Sequence, residues 1–385
     1  MRSDEIRRRF VTYFERQGHL ALPSASLIPH DDPSVLFTSA GMQQFAPYFV
    51  GAAAPPAPRL VTVQRCVRTD DIEEVGDNTH HTLFEMLGHF SFGDYFKREA
   101  IAFAFEFVTK ELGLPADRLW TTIFAGEPGI PRDDEAEAAW LAVGIPASRI
   151  RSFGFDENWW GLETGPCGPD SEIHIDLGPE AGCGLPDDRC GPNHCSRFFE
   201  FWNAVFNQYD RAADGTLTPL ERTGIDTGVG FERVVALLQD KPSAYETDLF
   251  APLIAAAAAQ TGVAYGEAPD TDLSLRIIAE HLRAATFLVA DGALPASEGR
   301  GYVVRRLIRR AVRHSRLIGS EAPITGPVVA ATLERMAEHY PHLEQRRALI
   351  ERATADEEAQ FARTLDAGTQ LLEAEVAALK ARGGT

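Results

Sequence analysis

The feature that most constrains this chain is a change of texture near Lys241. Before that point, short alternating apolar runs are interleaved with helical periodicity; after it, strand signals stop and helical spacing dominates. Residues 61–67, 82–92, 119–125, 173–176 and 198–207 read as strands, and 35–38 as a further short apolar strand. The segments 61–67 and 82–92 flank an acidic turn, 70–78, and read as a long hairpin with a broad tip. Helices are predicted at 4–17 (capped by Ser3 and stopped by Gly18), 99–112, 134–143 and 228–238. Beyond 241 the pattern predicts helices over 248–261, 273–290, 300–318, 328–339 and 343–380. The predicted fold class is therefore α+β over residues 1–240, followed by an all-helical domain over 241–385.

Composition narrows the partners. With 37 basic and 56 acidic residues the net charge is −19, which excludes a general nucleic-acid coat. Any anionic partner must meet a local basic patch. The longest apolar run, 255–259, is far too short to span a membrane. The first ten residues, MRSDEIRRRF, lack the apolar core of a signal peptide, so a cytoplasmic location and no membrane partner are expected. Nothing in the sequence fixes an oligomeric state.

Five segments carry chemistry. Arg65 and Arg68 sit with opposite parity on the strand Gln64-Arg65-Cys66-Val67-Arg68, so one of them faces each side of a sheet, where an arginine fork suits phosphate or carboxylate. In Asp226-Thr227-Gly228-Val229-Gly230-Phe231-Glu232-Arg233, a glycine-rich turn opens a helix and places Arg233 in its first turn. Its spacing fits neither the dinucleotide fingerprint nor a P-loop. Trp159-Trp160 precedes Gly165-Pro166-Cys167-Gly168-Pro169, a stiff loop beside an aromatic wall; this is either a small pocket or a hydrophobic corner of the core. Arg300, Arg305, Arg306, Arg309, Arg310, Arg313 and Arg316 fall on one helix with no acid among them. They suit a phosphate backbone or an internal lattice of ion pairs. Finally, Cys183, Cys190, His194 and Cys195 offer four nitrogen and sulfur ligands within a short loop, a set that zinc takes tetrahedrally as a closed structural site. Cys167 is an alternative member, and an exposed loop with free thiols is the competing reading.

Taken together, these segments resemble the alanyl-tRNA synthetase family from Ile6 to about Leu372. The most telling strings are Leu36-Phe37-Thr38-Ser39-Ala40-Gly41-Met42, Gln64 to Arg68, Phe84-Glu85-Met86-Leu87-Gly88, Gly165 to Pro169, Asp226 to Arg233, and Arg300-Gly301-Tyr302-Val303. The resemblance implies a class II catalytic fold, an antiparallel sheet flanked by helices. Motif 1 would be the first helix with the strand near Leu36, motif 2 the hairpin, and motif 3 the 226–233 segment. It also implies ATP and magnesium, activation of alanine to an adenylate, and transfer to the 3′ end of tRNA(Ala). Arg68 would hold the α-phosphate and Arg233 would lie against the nucleotide, with Phe84, Glu85 and Gly230 completing that site. Asp226 would pair with the alanine ammonium, and Trp160, Val205 and Gly228 would wall a pocket for one methyl. Arg300, Arg305, Arg306, Arg309 and Arg313 would meet tRNA. Such a reaction needs positioning and cationic stabilisation but no protein nucleophile, in keeping with a site of arginines.

The sequence departs from the family's usual pattern at Thr79 and Leu83 in the hairpin, at His89 and Asn207, and at Pro295-Ala296-Ser297, where relatives carry Pro-Ser-Asn. Relatives also continue well beyond residue 385. The resulting alternative is a stand-alone paralogue that activates alanine or another small amino acid for a non-tRNA acceptor. A non-enzymatic binding paralogue is disfavoured by the retained Arg68, Asp226 and Arg233.

Overall fold

A computed structural model describes residues 1–29, 35–186 and 189–381, without the side chains at 379 and 381. The chain forms two compact units. The first comprises Met1–Ala25, Thr38–Cys66 and Phe84–Asp240; the second comprises Ser26–Phe37, Val67–Leu83 and Lys241–Thr385.

The first unit is built on a nine-stranded sheet. Its strands are β1 (Leu20–Ala21), β2 (Arg59–Val67), β3 (Leu83–Phe92), β4 (Leu119–Phe124), β5 (Ile150–Phe153), β6 (Trp159–Gly161), β7 (Gly165–Asp176), β8 (Phe198–Arg211) and β9 (Leu217–Gly230). They run in the order β1-β2-β3-β9-β8-β7-β4-β5, with β6 paired to β7. β1–β2 and β4–β5 are parallel pairs; β3–β9, β9–β8, β8–β7, β7–β4 and β6–β7 are antiparallel. The helices of this unit are α1 (Ser3–Arg16), α2 (Ala46–Phe49), α3 (Lys97–Glu106), α4 (Asp134–Val143) and α5 (Phe231–Leu238).

Helix α1 forms because Ile6, Phe10, Tyr13 and Phe14 recur on one buried stripe, while Asp4 and Glu5 favour its N-terminus. Ser3 does not cap it; it is the first helical residue, and Arg2 takes the cap position without a side-chain bond. The buried stripe covers one face of the sheet. Phe14 stacks on His89 of β3 at 4.1 Å, and Phe10 and Phe107 pack against Trp202 of β8 at 6.1 and 5.9 Å. Strand alternation sends Glu85, Leu87 and His89 to this face and Met86, Gly88 and Phe90 to the other. There, Phe90 and Phe92 join Ala40, Met42, Phe45, Phe49 and Leu60 in a cluster against which Trp160 packs.

Three sequence expectations fail here, the last two for a common reason. Residues 35–38 form no strand. The segment 165–169 is not a loop but the start of β7, and 226–230 is not a turn but the end of β9. Glycine and proline normally argue for turns, but these glycines permit close strand approach. A Cβ on Gly168 would stand 1.9 Å from the Phe206 carbonyl oxygen, and one on Gly161 would stand 2.3 Å from the Cys167 Cβ.

The second unit contains α6 (Ala251–Thr261), α7 (Pro269–Ala290), α8 (Gly299–Leu317), α9 (Thr325–Met336), α10 (His342–Gln345) and α11 (Arg347–Ala381). Helix α7 is its centre, buried almost continuously from Ser274 to Ala290. The two inserted segments are tied into it by buried acids. Asp291 accepts the Leu27 amide at 2.6 Å, and Glu280 accepts the amides of Thr82 and Leu83 at 2.6 and 3.0 Å. The long helix predicted over 343–380 is broken at Arg346. On its predicted apolar stripe, Phe361 and Leu365 are half-buried, whereas Leu372 and Val376 are 65% and 39% exposed; the Leu379 side chain lies outside the described residues. Among the described residues, no helix is long and apolar enough to cross a membrane.

Candidate active site

The ladder places Asp226 of β9 opposite Phe90 of β3 and Val205 of β8, and Gly228 opposite Asn203. These residues share the face away from α1. Asp226 is only 5% exposed, and no donor among the described residues reaches its carboxylate. Burial pushes its pKa up to about 7. An acid in that state awaits a cation, since a buried charge is costly until paired. Gly228 leaves space for Met86: a Cβ at 228 would stand 2.9 Å from the Met86 Sδ and would push that side chain aside. The Met86 Sδ also accepts the Gly41 amide at 3.2 Å, so the floor beside Asp226 is fixed from two sides. Val205 is buried and Trp160 packs on the Phe90 cluster. Asp226, Val205, Gly228 and Trp160 therefore share one face of the sheet, two of them in one register pair.

The nucleotide residues expected from the sequence divide. Arg233, in the first turn of α5, donates to the Glu200 carboxylate at 2.8 Å and to the Glu200 carbonyl at 3.2 Å, and both side chains are 35% exposed. Gly230 lies beneath it, 3.2 Å from the Arg233 side chain if a Cβ were added. Phe84 is half-buried, with the same strand parity as Met86. Glu85 is 1% exposed and bound by both Nε and Nη2 of Arg7, the former at 2.8 Å, while Glu232 caps its amide at 3.0 Å. Its carboxylate forms a buried pair with Arg7 on the face of the sheet that α1 covers. The two arginines do not share a strand: Arg65 is buried in β2 and donates to Ser24 Oγ and the Ala25 carbonyl, each at 3.1 Å, whereas Arg68 follows the end of β2 at Val67 and is exposed. Arg68 belongs to the second unit, where its amide bonds the Thr82 carbonyl at 3.0 Å.

Sequence reasoning missed a polar network on the same face as Asp226. Asn203 donates to Asp170 at 2.7 Å, and Asn158 donates to Asp170 at 3.1 Å and to Thr122 at 2.7 Å. Thr122 in turn donates to Glu172 at 2.9 Å, which also receives Asn193 at 3.2 Å. Burial, then the neighbouring Glu172, holds Asp170 well above the ordinary carboxylate range. The signal available was alternation: Asp170 and Glu172 on one strand, Asn203 and Val205 on the next.

The cysteine loop gathers three thiols. The sulfurs of Cys183, Cys190 and Cys195 lie within 4.8 Å of one another, with Cys183 and Cys190 3.5 Å apart. Two sulfurs on one tetrahedral zinc stand about 3.8 Å apart, given a Zn–S bond of about 2.3 Å, so the trio fits such an ion. His194 is not with them: it is exposed, its ring edge-on to Phe153 at 5.5 Å. Cys167 is also elsewhere, buried in β7 opposite Tyr209. Asp187 and Asp188 of this loop lie outside the described residues.

On α8 the ion-pair reading describes four of the arginines. Arg306 and Arg310 pair with Glu73, Arg309 with Glu357 at 2.6 Å, and Arg316 with Glu321 at 3.7 Å. Arg300 donates to the Leu36 carbonyl at 2.5 Å. Arg305 is half-buried and Arg313 exposed, and neither meets an acid among the described residues.

The family model for class II (A) tRNA synthetases matches residues 5–384. The chain belongs to that family. The alanine–tRNA ligase of Rubrobacter xylanophilus is 50% identical over 388 residues, covering 99% of this chain and 44% of that protein. The alanine–tRNA ligase of Desulforamulus reducens is 49% identical over 383 residues, covering 99% of this chain and 43% of that one. The chain thus spans less than half the length of these relatives. Among solved structures, apo S. aureus histidyl-tRNA synthetase superposes with a TM-score of 0.39 at 13% identity, covering 64% of this chain and 68% of that one, too loosely to say more. Family membership accords with the α+β architecture, a nine-stranded, largely antiparallel sheet flanked by helices.

Proposed function

We propose that this chain carries the alanine-activating centre of an alanine–tRNA ligase working in the cytoplasm, with tRNA(Ala) as acceptor. The observation that carries this reading is Asp226: a buried carboxylate with no partner among the described residues, in register with Val205 and on the same face as Gly228. The naming of the half-identical relatives as alanine–tRNA ligases supports it. Asp226 binds the alanine ammonium and so aims the carboxylate at the α-phosphate of ATP. Carboxylate attack builds charge on the phosphate oxygens and pyrophosphate leaves; offsetting that charge is the role that the family resemblance implies for Arg68 and Arg233. Glu200, half-open beside Arg233, is an oxygen donor suited to the magnesium that accompanies ATP; that ion would neutralise phosphate charge. Trp160, Val205 and Gly228 reject larger side chains by contact. Arg305 and Arg313 serve the tRNA backbone, and a structural zinc on Cys183, Cys190 and Cys195 braces the loop ahead of β8. A fourth zinc ligand from His194 requires its ring to leave Phe153.

The test is alanine-dependent pyrophosphate exchange, followed by alanyl transfer with and without tRNA. Arg68→Ala should cost about 2.7–4 kcal/mol of transition-state stabilisation in exchange, by analogy with loss of one oxyanion donor. Absence of exchange in the parent, or exchange within a factor of about two of the parent in Arg68→Ala, rejects the assignment. Exchange without transfer to tRNA rejects the acceptor alone. Zinc well below one equivalent per chain, with melting unchanged by a chelator, rejects the metal.

A further inference from the structure

Asn203 directs its carboxamide in a way that only Asp170 explains. We propose that Asp170 is a positioning residue for the amino-acid site: it fixes the Asn203 amide so that oxygen, not nitrogen, is presented beside Asp226. This rests on the alanine-activating reading above. Both oxygens of Asp170 accept from amide nitrogens, so the Asn203 amide turned toward it offers its NH₂. Asn203 Nδ2 does so at 2.7 Å from Asp170 Oδ2, and Asn158 Nδ2 does the same at 3.1 Å from Oδ1. The consequence is an oxygen left over: Asn203 Oδ1 is buried with no donor among the described residues. Such an acceptor is costly unless a ligand supplies the donor.

The register says where that donor belongs. Asn203 stands opposite Gly228, one alternation from the Val205–Asp226 pair, so the two unpartnered acceptors occupy neighbouring positions on one face. An ammonium has three N–H groups, enough to satisfy both. Asp170 cannot easily swing away. It is 1% exposed, stands opposite Val205, and is held by Asn158, itself anchored on Thr122 at 2.7 Å. If the amide were reversed, an N–H would face the ammonium, and the site would repel what Asp226 attracts.

The experiment exchanges the two groups. In Asp170→Asn, two amides face each other, and they pair when the Asn203 oxygen turns inward and its nitrogen faces the site. The alanine KM in pyrophosphate exchange should rise about tenfold, the loss of roughly one hydrogen bond, with the ATP KM and melting temperature nearly unchanged. The double variant Asp170→Asn/Asn203→Asp keeps the net charge and restores the order: the new amide donates to the new carboxylate, whose second oxygen faces the site. Its alanine KM should return to within about threefold of the parent, since exchanging both partners preserves their coupling. An alanine KM within twofold of the parent in Asp170→Asn overturns the proposal. So does a double variant no better than the single one, or a parallel rise of both KM values with loss of melting, which marks a merely structural acid. A parent without alanine-dependent exchange overturns the underlying reading instead.

Discussion

Glu85 and Asp226 are buried carboxylates on neighbouring strands of one sheet, β3 and β9, and their surroundings could hardly differ more. Glu85 is gripped by a bidentate arginine from α1 and lies under the sheet; Asp226 lies on the opposite face with no partner among the described residues. Acids with built-in partners hold a fold, whereas an acid whose partner is missing marks where something else must arrive. The same division runs along α8, where Arg306, Arg309 and Arg310 are matched to acids and Arg305 and Arg313 meet none among the described residues.

Four measurements can break or sharpen that division. The largest effect is expected at Glu85. Glu85→Ala strands the Arg7 guanidinium in the core and should destabilise the protein by about 3–5 kcal/mol in denaturant titration; a loss under about 1 kcal/mol would mean the pair is not structural. At Asp226 the sign reverses. Its folded pKa, about 7, lies above its ordinary value of 3.8. The native state therefore holds this proton more tightly than the unfolded state, and ionising Asp226 costs stability progressively as pH rises between those values. Asp226→Asn should thus melt like the parent near pH 4 and above it at pH 8, while losing alanine affinity. In the parent, alanine affinity should strengthen up to tenfold per pH unit from pH 5 until it levels near 7, because the ammonium needs the carboxylate; a flat profile argues against the pairing.

Asn207 tests whether every orphan is a site. It is fully buried, with neither amide atom bonded among the described residues, in a position with no ligand role assigned. Asn207→Leu should stabilise by about 1 kcal/mol and leave exchange unchanged; lost exchange would make Asn207 part of the site. The smallest effect is on α8. Arg305→Ala and Arg313→Ala should each lower the salt slope of tRNA binding by about 0.7–0.9 with melting unchanged. Arg309→Ala should lower the melting temperature, because Glu357 loses its partner. Equal slopes for all three would return α8 to a uniform basic patch.

What could be read from the sequence was whatever depends on local periodicity. Residues 134–143 form a helix with the predicted limits because Asp133 caps it through the Ala136 amide and Gly144 ends it at a φ of 104°. Asp226 and Arg233 could be singled out because motif spacing is local. What could not be read was pairing at a distance. That Glu85 belongs to Arg7, Asn203 to Asp170 and Glu73 to Arg306 depends on register and packing between residues far apart in the chain. The glycines of 165–168 and 228–230 misled for the same reason: their need is set by a neighbouring strand, not by a turn.

The chain passes between its two units five times, at 25/26, 37/38, 66/67, 83/84 and 240/241. A cut after Asp240 therefore does not release a self-contained module. It leaves Leu27, Thr82 and Leu83 in one polypeptide and the acids that receive their amides, Asp291 and Glu280, in the other. For gene fusion or recombination, position 240 is a seam in composition but not a point of exchange. Swapping the C-terminal half between homologues should succeed only when the short stretches 26–37 and 67–83 travel with it.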